Sequence, residues 1–166
     1  MTLKTFTLAA VSALLLTAPP ALAQKASDIM ASHAWLRPTP AGGSMTAGYL
    51  VIANGSTKAV HLRSASSPMA QSVTLHRSVV TNGVARMEPL SEGLLISPGA
   101  SAAFQPGGNH LMLDGVKAPL KVGDKATIIL VFDGVGPVSV VFEVRKSAPA
   151  DAMPAGMAMP PGMKMR

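Results

Sequence analysis

Apolar and polar residues alternate along most of this chain in short runs, and a period of two is the signature of β-strands with one buried face. Ten such runs stand at residues 34–37, 48–53, 59–64, 72–80, 84–88, 93–96, 101–105, 110–113, 126–132 and 138–145. Between them lie Asn54-Gly55, Asn82-Gly83, Pro98-Gly99, Pro106-Gly107-Gly108, Asp114-Gly115 and the stretch from Gly134 to Pro137. These residue types either tolerate positive φ or fix φ for a turn. Many short strands at near-regular spacing predict an all-β antiparallel sandwich or small Greek-key barrel. The one helical candidate is a short segment at residues 27–32.

Both ends depart from this pattern. Lys4, the apolar run from Phe6 to Leu16 and the small-x-small triplet Ala21-Leu22-Ala23 have the layout of an export signal. Residues 1–23 are therefore expected to be cleaved and the product to be periplasmic. The run is shorter than the roughly 20 apolar residues that span a bilayer, so no membrane insertion is expected after cleavage. No Cys stands at the cleavage point to take a lipid. At the other end, residues 147–166 turn to Ala, Pro, Gly and Met, with four Pro in twenty residues. Such a composition cannot bury enough surface to order itself and reads as a flexible tail. Residues 24–146 remain as one domain, long enough for a single core.

Charge narrows the partners. Without the signal, thirteen Lys and Arg face eight Asp and Glu, a balance of plus five that is scattered along the chain. One Trp, one Tyr and four Phe give no base-stacking platform, so nucleic acid is not an expected partner. Cysteine is absent. An exported chain without it has no disulfides, and no site here can use a thiolate. No convincing nucleophile and base occur together, so no enzyme is expected. The compositional oddity is methionine, with eleven residues.

Four residues carry the candidate chemistry. His110 and Met112 are two apart within a strand, so their side chains share one face while Leu111 and Leu113 take the other. Asn82-Gly83 is a strong signal for a two-residue hairpin turn. With that turn, Ser78 opposes Met87 and His76 opposes Pro89, which makes Met87 the diagonal neighbour of His76. Diagonal neighbours lie roughly 7–8 Å apart, within reach of a long side chain. Each pair offers one imidazole and one thioether. Soft thioethers select Cu(I), whereas zinc prefers thiolate, imidazole or carboxylate, and calcium and magnesium want oxygen.

The spacing of His76, Met87 and His110-Leu111-Met112 resembles that of the periplasmic copper chaperone family PCu(A)C. So do the flanking segments Ala34-Trp35-Leu36-Arg37, Gly48-Tyr49-Leu50, Ala65-Ser66-Ser67-Pro68, Arg86-Met87-Glu88-Pro89 and Pro106-Gly107-Gly108-Asn109. The resemblance runs from about residue 34 to residue 144. It implies a cupredoxin-like β-sandwich with His76, Met87, His110 and Met112 as Cu(I) ligands. It also implies delivery of copper to the Cu(A) centre of cytochrome c oxidase, in subunit II, alongside Sco-type proteins. Arg77-Ser78 after His76 depart from the family pattern, which places Glu and then Met or His there in many members. The surroundings of the ligands are therefore expected to differ.

The remaining candidates separate by context. His33 and His61 are single and read as structural or surface residues, and Met30, Met45 and Met69 as packing residues. Met153, Met157, Met159, Met163 and Met165 sit in the tail, where packing is no explanation; they are expected to form an auxiliary Cu(I) capture arm. Copper buffering without a dedicated acceptor, or a metal-free β-sandwich binding module, stays open on sequence grounds.

Overall fold

A computed structural model of the chain describes residues 28–150. Ten strands run β1 (Ile29–Leu36), β2 (Thr46–Asn54), β3 (Val60–Ser66), β4 (Ser72–Thr81), β5 (Val84–Pro89), β6 (Leu94–Ile96), β7 (Ser101–Phe104), β8 (Asn109–Asp114), β9 (Lys125–Phe132) and β10 (Gly136–Val144). Each of the ten alternating runs is a strand. The helix expected at 27–32 is not formed over its described part. Ile29 to Ser32 instead pair with Asn54 to Val51 of β2, and Ile29 is buried while Met30 is exposed. Period-two burial against an apolar partner strand outweighs local propensity here. Ser27 lies outside the described residues.

All ten strands form one sheet in the order β5-β4-β8-β7-β2-β1-β10-β9-β3-β6, and a β3–β4 pairing closes it. The closed part is an eight-strand barrel, with β5 and β6 added on β4 and β3. Most pairings are antiparallel; β1–β10 and β7–β8 are parallel. Closure between β3 and β4 rests on the pair Ala65 and Val73.

The barrel interior is filled by the inward residues of the eight strands that close it. Leu36, Leu50, Ile52, Leu62, Leu111, Leu113, Ile128, Leu130, Phe142 and Val144 are fully buried. Burying an aliphatic side chain of this size contributes roughly 1.5–3 kcal/mol, so these positions fix which way each strand faces. Gly48 sits among them. A Cβ at Gly48 would stand 2.9 Å from Leu36 Cδ2 and 3.5 Å from Leu111 Cβ. Its absence leaves room for Leu36, while Leu111, the residue that divides His110 from Met112, stands at ordinary contact distance beside it.

Candidate metal centre

The hairpin turn sets the first half of the site. Asn82 and Gly83 have φ of 53° and 76°, the doubly left-handed turn that matches strand twist. Thr81 then pairs with Val84, Ser78 with Met87 and His76 with Pro89, the register that the turn dipeptide requires. Met87 is thus diagonal to His76 on one face.

The second half joins through β8. His76 pairs with His110, and Thr74 with Met112. Val73, Leu75, Leu111 and Leu113 are buried, so strict alternation sends Thr74, His76, Ser78, His110 and Met112 to the outer face of the barrel. The two imidazole rings stand 5.8 Å apart between centroids, tilted by 56°. Exposure is graded across the group. His110 is buried, His76 and Met112 are half-buried, and Met87 on the outlying strand β5 is 61% exposed.

Hydrogen bonding distinguishes the ring nitrogens. His110 Nδ1 lies 3.1 Å from the Gly108 carbonyl oxygen. A carbonyl only accepts, so Nδ1 carries the proton and Nε2 keeps a free lone pair. His76 Nε2 lies 3.1 Å from Thr74 Oγ1. The other two nitrogens, His76 Nδ1 and His110 Nε2, are buried and unpartnered. Among the described residues they are the only buried side-chain nitrogen or oxygen atoms without a hydrogen bond. An orphaned buried polar atom costs roughly 1–3 kcal/mol, and two on facing residues are what a shared cation would satisfy. Burial, reinforced by electrostatic repulsion between the two neighbouring imidazoles once protons are added, pushes the His76 pKa below its ordinary value of 6.5. The shift favours the neutral ring, the form that donates to a metal.

No group of three or more His, Cys, Asp or Glu side chains among the described residues could hold a metal. Further donors beside the two imidazoles are the thioethers of Met87 and Met112, with the hydroxyls of Thr74 and Ser78. The thioethers are soft and both they and the imidazoles are neutral donors, a combination suited to Cu(I) rather than to zinc or calcium.

The other candidates fall elsewhere. His33 has a positive φ of 52° at the irregularity in β1. His61 Nδ1 is 3.7 Å from Asp133 Oδ2, which also accepts from Arg63 Nε at 2.6 Å. Arg77 points to the reverse face, where its Nε donates to Asn109 Oδ1 at 3.1 Å. Met69 packs against the core. Met30 and Met45 do not: they are 70% and 49% exposed, and the packing role expected for them is not realised. Met153, Met157, Met159, Met163 and Met165 lie outside the described residues. Sequence reasoning missed Thr74 and Gly108. Each stands two residues before a histidine, a spacing that signals a shared face for Thr74 but not a hydrogen bond.

The closed all-β barrel places the chain in a class, the copper-binding cupredoxin-like domains of the PCuAC type. Residues 29–144 match the family described as "Putative lipoprotein LpqE-like". The chain belongs to this PCuAC-type, LpqE-like family. It is 36% identical over 119 residues to "Putative lipoprotein Lxx21020" of Leifsonia xyli subsp. xyli, covering 70% of each chain. Among solved structures it is similar to the copper-bound PCuAC domain from PmoF2. That match has 25% identity and a TM-score of 0.60, and covers 74% of this chain and 94% of the other. It is also similar to the solution structure of CuI-DR1885 from Deinococcus radiodurans. There the identity is 30% and the TM-score 0.55, over 75% and 85% of the two chains.

Proposed function

We propose that this protein is a periplasmic copper chaperone. It holds one Cu(I) ion through His76, Met87, His110 and Met112 and passes it to an acceptor protein. The acceptor is the Cu(A) centre of cytochrome c oxidase subunit II, or a Sco-type protein that serves it. The observation that carries this reading is the pair of buried, unpartnered nitrogens, His76 Nδ1 and His110 Nε2, on directly opposed residues. The copper held in two similar structures supports the choice of ion, and a lipoprotein relative supports a place outside the cytoplasm.

The gradient of exposure supplies a transfer route. Neutral thioethers and imidazoles hold Cu(I) less firmly than a thiolate-bearing acceptor, so transfer runs downhill. Met87, outermost and on a strand with no buried residue, is the donor an acceptor side chain replaces first. His110, buried and held by Gly108, is the last to let go.

The tail fits the same reading. After β10 the chain passes Leu36, where Arg145 N–H donates to the Leu36 carbonyl at 2.9 Å. Arg37 N–H in turn donates to the carbonyl of Ala47, which pairs with Met112. Three strand spacings make roughly 15 Å, well within the reach of a twenty-residue segment. The tail methionines can therefore collect Cu(I) close to the main site.

The test is a Cu(I) competition titration of the wild-type chain, followed by mixing the loaded protein with an apo Cu(A) domain. One tightly bound Cu(I) in the folded domain and metallation of the acceptor are expected. A chain that binds copper but never loads the acceptor would be a buffer, not a chaperone.

A further inference from the structure

The two histidines face one another, yet their hydrogen bonds are not equivalent. His110 spends Nδ1 on the Gly108 carbonyl and is left with Nε2. His76 spends Nε2 on Thr74 Oγ1 and is left with Nδ1. We infer that Thr74 is a positioning residue that commits His76 to bind Cu(I) through Nδ1, while His110 binds through Nε2. This inference rests on the copper reading above, although the apo ring geometry does not.

Three observations support it. Thr74 and His76 are two apart on β4, which puts both on the outer face, and Thr74 pairs with the candidate ligand Met112. Its hydroxyl therefore stands inside the donor group. Next, the His76 ring has two ways to be protonated. With the proton on Nδ1, a buried N–H would be left with no acceptor, and orphaned buried N–H groups are rarer than under-used acceptors. With the proton on Nε2, Thr74 Oγ1 accepts it and the Nδ1 lone pair is free for a metal. Finally, a ligating histidine ordinarily donates its second N–H to an oxygen, and loss of that partner typically costs 10–100-fold in metal affinity. Thr74 is the side-chain partner His76 has for this; the Gly108 carbonyl plays the part for His110.

The inference concerns atoms, so nitrogen spectroscopy decides it. In long-range proton–nitrogen correlation spectra of the ¹⁵N-labelled protein, Cu(I) should move the His76 Nδ1 and His110 Nε2 resonances most. Nε2 of His76 and Nδ1 of His110 should keep the shifts of protonated nitrogens before and after loading. Thr74→Val keeps a β-branched, strand-favouring side chain and removes the acceptor. It should lower Cu(I) affinity about 10–100-fold, and Thr74→Ser should restore most of it. Circular dichroism and thermal unfolding of the apo variants show whether each is folded as wild type.

Metal-induced shifts at Nε2 of both rings would overturn the inference and leave the copper site intact. So would a Thr74→Val variant, folded as wild type, that binds Cu(I) as tightly. Absence of any imidazole shift on loading would overturn the ligand assignment itself and the inference with it.

Discussion

His76 and His110 occupy directly opposed positions on antiparallel neighbours β4 and β8, and the nitrogens their rings leave unpartnered are both buried. Direct opposition fixes the separation of the two Cβ atoms at roughly 5 Å through the backbone ladder rather than through a loop. The imidazole pair is thus held by the barrel before any metal arrives. The thioethers are less constrained, Met87 least of all.

This difference predicts a graded response to ligand removal. His76→Ala and His110→Ala should each weaken Cu(I) binding by at least about a hundredfold, equivalent to about 2.7 kcal/mol. Met87→Ala should cost less than either, because its side chain is already largely exposed. Competition titration against a colorimetric Cu(I) chelator measures all of these, with Met112→Ala expected between the extremes.

The pH dependence follows from His76. Its pKa is held below 6.5 by burial first and by the charge of His110 second. Below pH 6.5 the unfolded chain takes up a proton that the folded ring resists. The unfolded state then binds more protons, and stability falls as pH drops through that window. Above it the contribution is fully present. Proton NMR titration of the apo protein should place the His76 midpoint below 6.5. His110→Ala should raise that midpoint without restoring it fully, since burial persists.

The hairpin turn controls whether Met87 faces the site. Gly83→Val forces a β-branched residue to a φ of 76°, costing roughly 1–2 kcal/mol. Nothing crowds a Cβ at this position, so the penalty is in the backbone alone. A one-residue slip would turn every β5 side chain over. Cu(I) affinity should fall to the level of Met87→Ala, while the loss of stability in urea unfolding should not exceed that backbone penalty.

Beneath the site, Leu111 anchors β8. Leu111→Ala, at a fully buried position, should cost roughly 2–5 kcal/mol in urea unfolding. Gly48→Ala would press a methyl against the Leu36 side chain and should cost roughly 1–3 kcal/mol.

Removal of residues 147–166 deletes Met153, Met157, Met159, Met163 and Met165. Total Cu(I) bound at saturation should fall, with the affinity of the remaining site unchanged. Unaltered stoichiometry by equilibrium dialysis would remove the tail from the copper chemistry.

Much of this was legible along the chain, for identifiable reasons. Asn82-Gly83 dictates its own backbone conformation, so the placement of Met87 beside His76 could be read locally. The alternation Asn109 to Leu113 likewise declares which of its side chains face out. Legibility stops at contacts far apart in sequence. Nothing local says that β4 lies beside β8 with His76 opposite His110, since that register is set by Val73, Leu75, Leu111 and Leu113 meeting in the core. For that juxtaposition the family resemblance carried what residue patterns could not. The strand at Ile29–Leu36 shows the same limit in reverse, because its pairing with β2 decides a segment whose own sequence is indifferent.

All six residues of β5 are exposed. The strand bearing the outermost sulfur therefore sits outboard of the interior that keeps the protein folded. Under the proposed ligand set, mutations along it should slow or hasten the departure of cargo at little thermodynamic risk to the body of the molecule. Departure speed and durability are separately adjustable in this architecture, and an engineer would alter the first at β5 and the second at β8.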